Sequence, residues 1–224
     1  MRSVFPGVFI GRIRPEALEE EFAKMSARFG QLMLHERSGA SGCVSIQYEE
    51  MQGEYQAIGQ GCFDVLPHTD SPHIRLPPAF VALGCIRAAE LGGETILVDG
   101  FGVISALESE FGGLVSMLSE KSIECRRNNI SSHYFLLGKN PIRKKIRFRN
   151  DPGFENIVPI EISAMFEFFC SYVCDERNQV FMNLNPGDFI VIDNRRWLHG
   201  RRSFPAGSSR LLIRAWYGEG CEQD

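Results

Sequence analysis

From residue 42 onward the hydrophobic residues of this chain abandon helical spacing for a period of two, and that change limits what the chain can build. Residues 42–48 and 54–60 read as short strands split by Met51-Gln52-Gly53. Residues 79–88 read as a buried strand, and residues 95–99 as another entered through Gly92-Gly93. Further strands are expected at 180–184, at 189–193 after the turn Asn185-Pro186-Gly187-Asp188, and at 209–217. Residues 4–11 are short and strand-like. Helices fall at the margins. In residues 15–30, Leu18, Phe22, Met25 and Phe29 step by four, three and four, which gives one core-facing stripe between Pro15 and Gly30. Residues 102–119, broken at Gly112-Gly113, and residues 162–177 also read as helical. Residues 121–160 are basic and turn-rich and show no clear period. Many short strands bury their apolar faces by closing on one another, so the expectation is a mainly β chain. An antiparallel double-sheet barrel would carry two or three flanking helices, as a single domain over 1–224.

Composition excludes several classes. Lys plus Arg is 24 against 28 Asp plus Glu, a formal net charge of −4. That sign argues against nucleic acid as a partner. No run reaches 18 apolar residues, so no membrane association is expected, and Met1–Pro6 lacks the apolar core of a secretory signal. The seven cysteines are odd in number, scattered and set in apolar runs, as expected of buried thiols in a reducing cytoplasm. Cys170 and Cys174 lie i,i+4 without a nearby His or second Cys pair to complete a zinc site.

There is no Gly-x-Ser-x-Gly elbow and no Walker loop, and Gly59-Gln60-Gly61 lacks the third glycine of a dinucleotide fingerprint. The informative segment is Pro67-His68-Thr69-Asp70. In an extended chain residues two apart point to the same side, so His68 and Asp70 can present a nitrogen and a carboxylate oxygen to one metal ion. A lone His-x-Asp is weak. It gains weight 129 residues after Asp70, where a strand ends at Asp193 and a basic turn leads to His199. Two His and one Asp form the facial triad of non-haem Fe(II) oxygenases, which leaves coordination positions for cosubstrate and dioxygen. On the last strand Arg210, Leu212, Arg214 and Trp216 share one face. If that face lines a cavity its arginines require anionic partners; on an edge strand they would face water.

These pieces together resemble the Fe(II)- and 2-oxoglutarate-dependent dioxygenases of the taurine dioxygenase (TauD/TfdA-like) superfamily. The matching residues are His68-Thr69-Asp70, Gly92-Gly93-Glu94-Thr95 with Val98-Asp99-Gly100-Phe101, Pro186-Gly187-Asp188, Asp193 to Arg201, and Arg210 with Arg214. They span residues 64–217, and the wording is similar to that of the γ-butyrobetaine and trimethyllysine hydroxylase branch. The resemblance implies a double-stranded β-helix (jelly roll). It implies Fe(II) held by His68, Asp70 and His199, with 2-oxoglutarate as cosubstrate held at its distal carboxylate by Arg210 and Thr95, and O2. It implies oxidative decarboxylation to succinate and CO2 coupled to oxidation of a small-molecule substrate, a polar metabolite such as an amino acid or a natural-product intermediate. Arg214 would meet an anionic substrate group. Family halogenases lack the carboxylate ligand, so Asp70 favours hydroxylation, desaturation or ring closure.

Asp64, four residues before His68, is a further candidate for substrate contact through an amine. His73 is a weaker one, and His35 and His133 read as structural. The basic run 143–149 is expected to be a solvated strand edge or else a lid over an anionic substrate. The zinc-binding N-terminal domain of eukaryotic γ-butyrobetaine hydroxylases is not expected in these 224 residues, and no aromatic cage can be traced by position. The rival expectation is a non-redox jelly-roll binding module or a cupin-like metal hydrolase. A hydrolase, however, has no use for the 2-oxo acid clamp of Arg210 and Thr95.

Overall fold

Alternation along each strand decides the layering. The computed structural model describes residues 1–50, 58–127, 130–140 and 145–218. In chain order these contain β1 (Arg2–Phe5), β2 (Val8–Arg12), α1 (Leu18–Lys24), α2 (Ser26–Phe29), β3 (Gln31–Met33), β4 (Val44–Gln47), β5 (Val65–His68), β6 (Phe80–Arg87) and β7 (Thr95–Asp99). Then come α3 (Gly100–Phe111), β8 (Ile123–Arg127), β9 (Ile130–Tyr134), β10 (Glu155–Ile157), α4 (Ser163–Cys174), β11 (Val180–Met182), β12 (Asp188–Asp193), β13 (Trp197–Arg201) and β14 (Leu211–Gly218). The major sheet runs β1-β2-β12-β6-β14-β3, with β4 also on β14; the minor sheet runs β11-β7-β13-β5. Their pairings are antiparallel.

The inward residues of the major sheet, among them Val81, Leu83, Ile190, Ile192 and Leu212, pack with Leu97 and Trp197 of the minor sheet. The outward ones, Ala82, Phe189, Val191, Ile213 and Tyr217, meet Leu18, Phe22, Met25 and Phe29. All four residues of that stripe are buried; each contributes roughly 1.5–3 kcal/mol on burial. The outer face of the minor sheet, through Val98 and Leu198, packs on α3, α4 and a third sheet, β10-β8-β9. Two facing antiparallel sheets with helices outside make the double-stranded β-helix.

The Val98-Asp99-Gly100-Phe101 segment serves this scaffold. Asp99 caps α3 by accepting from the Phe101 amide at 3.1 Å, and its two oxygens take the Arg196 guanidinium at 3.0 and 2.7 Å. Gly100 admits the Arg196 carbonyl, which a Cβ would meet at 2.4 Å.

Several elements differ from expectation. The 15–30 helix is a 3-10 turn followed by α1 and α2, which share the expected stripe. Residues 51–57 lie outside the described residues, and Ile58–Gln60, expected as the end of a strand, is a 3-10 turn. The stretch Gly100–Ser119 is long and apolar enough by composition to cross a membrane, yet it is α3 followed by 3-10 turns. Its Val103, Ile104, Leu107, Val115 and Leu118 pack in the core. The illegible 121–160 region holds the third sheet. There Ile123 and Cys125 point inward while Glu124 and Arg126 point away, an alternation obscured by the flanking arginines. The basic run 143–149 lies partly outside the described residues. Its described part is no solvated edge, because Ile146 and Phe148 are fully buried.

Candidate active site

The pairing of β5 with β13 sets His199 opposite His68, with ring centroids 4.8 Å apart. Gly200 makes that approach possible, since a Cβ there would lie 2.4 Å from the Val65 carbonyl oxygen. His68 donates from Nδ1 to the Leu66 carbonyl at 2.8 Å, which leaves Nε2 as the lone-pair nitrogen. That Nε2 lies 3.4 Å from Asp70 Oδ1, and His199 Nε2 lies 3.8 Å from the same oxygen. The three ligand atoms fall within 4.8 Å of one another, and all three residues are buried.

Asp70 is fixed from two directions. Asn194 accepts from the Asp70 amide at 2.7 Å and donates back to the Asp70 carbonyl at 3.2 Å. On the side chain, Oδ2 accepts from Trp216 Nε1 at 2.6 Å and from Arg214 Nη1 at 3.3 Å. Oδ1 has no hydrogen-bond donor although it is fully buried. An orphaned carboxylate oxygen costs several kcal/mol unless a cation meets it, and two imidazole nitrogens already face it. The donor set fits a divalent ion. Burial would raise the Asp70 carboxyl, but Arg214, His68 and His199 outweigh it and hold it well below the usual carboxylate range. Burial pushes His199 down to about 3 against the pull of Asp70, so its ring is neutral and able to ligate.

The three residues line a cavity of about 560 Å³, counting its mouth, between the two sheets. Thr95, at the start of β7, and Arg210 line it too, both buried. Gly93, with φ +75°, lies against Arg210, whose Nε would be 3.1 Å from a Cβ there; a larger residue would be strained and would crowd that guanidinium. Among the described residues no carboxylate pairs with Arg210, and burial pushes it down to about 10. Arg214 lines the cavity as well; its Nη1 reaches Asp70 Oδ2 at 3.3 Å, while its buried Nε has no hydrogen-bond partner among the described residues. Asp64 is not brought there. It is exposed and accepts from the Ser203 amide at 2.5 Å. His73 packs beside Phe154, and His35 sets its ring edge against Trp216.

Four residues of the site carried no assigned role in the sequence. Trp216 lay on the correct strand face, but nothing marked its indole N–H as a partner for Asp70. Asn194 sits inside the Asp193–Arg201 motif, where only a fold could show that it clamps Asp70. Arg201 sits in the same motif and donates to the carbonyls of Gly59, Gly61 and Phe63. Arg149 reaches the cavity from the basic run.

Solved structures with the same fold include the non-heme iron oxygenase OrfP in complex with Fe and alpha-ketoglutaric acid. Its TM-score is 0.70 at 19% identity, covering 96% of this chain and 76% of that one. Asparagine oxygenase gives a TM-score of 0.64 at 16% identity, covering 79% and 56%. The γ-butyrobetaine dioxygenase of Homo sapiens is 31% identical over 157 residues, 63% of this chain and 40% of that protein. The mitochondrial trimethyllysine dioxygenase of Rattus norvegicus is 30% identical over 155 residues, 61% and 36% respectively. This chain thus spans about two-fifths of the length of the curated relatives it matches. The model of the taurine catabolism dioxygenase TauD, TfdA family matches residues 4–216, nearly the whole sequence, and the chain belongs to that family.

Proposed function

We propose that His68, Asp70 and His199 hold Fe(II), and that this chain is a 2-oxoglutarate-dependent oxygenase. Its substrate is a small polar metabolite, such as an amino acid or a natural-product intermediate, and the outcome is hydroxylation. The observation that carries this reading is an orphaned carboxylate oxygen across one cavity from a buried arginine. A buried carboxylate oxygen faces two imidazole nitrogens, and the buried guanidinium of Arg210, immediately before β14, pairs with no carboxylate among the described residues. The first suits a metal ion and the second suits the far end of a diacid.

Bound iron, 2-oxoglutarate and dioxygen supply oxidative decarboxylation to succinate and CO2 together with transfer of an oxygen atom to the substrate. The protein's part is arrangement. Trp216 and Arg214 occupy Oδ2 and so direct Oδ1 of Asp70 inward. The Leu66 carbonyl fixes the His68 tautomer. Arg210 neutralises the distal carboxylate, and the Thr95 hydroxyl is placed to add a donor. The apolar lining of Ile46, Val65, Leu83 and Leu212 lowers the local polarity and strengthens these contacts.

The test is succinate release. It is expected to require both added Fe(II) and 2-oxoglutarate and to fall to background in His199→Ala. An unchanged rate in that variant would overturn the assignment. Firmly held zinc without 2-oxoglutarate binding would mark a binding module or hydrolase instead.

A further inference from the structure

Behind the metal ligands, neighbouring residues divide between two cavities. Thr69 and Asn194, both buried, line a second cavity of about 880 Å³, counting its mouth, together with residues 31–33, 76–79 and 145–147. Asp70, next to Thr69, and Arg149, two residues after Arg147, line the catalytic cavity instead.

The charge of this second cavity has one sign. Lys145, Arg147 and Arg195 line it, and among its described lining residues there is no carboxylate. Arg195 is neutralised by Asp193, which accepts from it at 2.9 and 3.2 Å. Arg147 donates to the carbonyls of Ile74 and Arg75, both at 3.3 Å, which orient its guanidinium without cancelling its charge. Burial lowers the Arg147 pKa, and no neighbouring acid offsets that pull. The Lys145 ammonium makes no ion pair with a described residue. Beside these two uncompensated cations the wall is apolar, through Met33, Leu76, Pro78 and Ile146. A site of this kind suits a molecule with a negative charge at one end and hydrocarbon at the other.

We propose that the second cavity binds a small organic anion with an apolar body, and that its occupancy tightens the metal site. The coupling rests on the reading that His68, Asp70 and His199 hold a metal ion; the binding site does not. Asn194, which clamps Asp70, also donates to the Pro78 carbonyl at 2.9 Å. Thr69 donates from its amide to the Phe148 carbonyl at 2.8 Å, and the Phe148 amide donates to Thr69 Oγ1 at 2.9 Å. Pro78 and residues 145–147 are both walls of the cavity. A ligand spanning them ties together the two pieces of chain that hold Asp70 through Asn194 and Thr69. A metal ion needs the same arrangement of Asp70, so the two ligands favour one another.

The experiment titrates metal-free protein by calorimetry with hexanoate and phenylacetate, each against its primary amide, and with acetate, which has the charge without the body. At least one of the two larger anions is expected to bind about tenfold or more tightly than its amide and than acetate. Lys145→Glu and Leu76→Asp, at a half-buried and an exposed position, are each expected to weaken it at least about fivefold. Arg210→Met, in the catalytic cavity, is expected to leave it unchanged. No binding, equal binding of anion and amide, or affinity lost in Arg210→Met but kept in Lys145→Glu would each overturn the site. Mn(II) is then titrated with and without saturating anion. Its affinity is expected to rise about threefold or more, and the anion to bind Mn(II)-loaded protein more tightly by the same factor. An unchanged or reduced Mn(II) affinity would overturn the coupling. Failure of the metal reading looks different: Mn(II) affinity would be the same in wild type and His199→Ala, with or without the anion.

Discussion

The two walls of the cavity are built from the same kind of strand and carry opposite chemistry. The minor-sheet wall presents neutral and anionic donors, namely His68, Asp70, His199 and the Thr95 hydroxyl. The major-sheet wall presents Arg210 and Arg214 among Ile46, Leu83 and Leu212. Two hydrogen bonds cross between them, from Arg214 and Trp216 to Asp70 Oδ2. Donors gathered on one wall define a place for a cation, and cations on the other define a place for an anion. A diacid that chelates the metal at one end suits both. Asp70 is the hinge of this division, since its two oxygens serve one wall each.

The division is broken most directly at Asp70. In Asp70→Asn the shape survives but the charge does not, so the metal loses its anionic ligand and Arg214 becomes an uncompensated buried cation. Metal affinity is expected to fall at least a thousandfold, read by titration of Fe(II) or Mn(II), with iron-dependent succinate falling to background. Retention of wild-type metal affinity would mean that Oδ1 does not ligate. Arg210→Met tests the opposite wall. Two lost charge-assisted hydrogen bonds, each worth about 1.5–3 kcal/mol, correspond to roughly a hundredfold or greater rise in KM for 2-oxoglutarate. Metal affinity without cosubstrate should stay within about threefold of wild type, because among the described residues no hydrogen bond or ion pair joins the Arg210 guanidinium to the three donors. If both constants moved together, the walls would not be separable.

A smaller effect sharpens the crossing contact. Trp216→Phe keeps most of the ring and removes the N–H that holds Asp70 Oδ2. One hydrogen bond to a charged acceptor is worth about 1.5–3 kcal/mol, so metal affinity is expected to drop roughly tenfold or somewhat more. The 2-oxoglutarate KM measured at saturating metal is expected to change little. A Trp216→Phe protein with unaltered metal affinity would show that Arg214 alone orients the carboxylate.

The walls were unequally legible in the sequence. Period-two alternation placed Arg210, Leu212, Arg214 and Trp216 on one face and Leu211, Ile213, Ala215 and Tyr217 on the other. The packing agrees: Leu212 and Trp216 point to the inter-sheet core, and Ile213, Ala215 and Tyr217 point to α1 and α2. The Pro67–Asp70 spacing and the Asp193–Arg201 turn could be read because local geometry alone fixes which side chains agree in direction. What joins the walls could not be read, since it depends on contacts between residues 124 to 146 positions apart, such as Asn194 and Trp216 with Asp70. Asp64 misled for the complementary reason. Proximity to His68 in sequence does not survive the turn of chain that leaves it outside the cavity. Arg149 was hidden in a segment whose described residues belong to no named strand and pair only through one isolated bridge at Ile146, so no periodicity revealed which of its side chains faced inward.

The least expected change lies in pH, and it tests how dry the donor wall is. In metal-free protein, burial depresses His199 from 6.5 to about 3, and His35 and His73 are lowered by burial as well. Below 6.5 the unfolded chain therefore binds protons that the folded chain refuses. The stability contributed by neutral His199 is complete above pH 6.5 and is lost as pH falls from there toward 3. Each refused proton costs about 1.4 kcal/mol per pH unit, so His199 alone removes roughly 2 kcal/mol between pH 6.5 and 5. Asp70, held below its ordinary 3.8, adds a loss in the same direction only at still lower pH. Denaturant midpoints of metal-free protein at pH 7.5, 6.5, 5.5 and 5.0 are expected to decline over the last three values, and His199→Gln is expected to flatten that decline. A flat wild-type profile would mean that the ring at 199 is reached by water in solution, and a wet ring could not share with Asp70 the dry, cation-seeking corner on which the contrast between the walls depends.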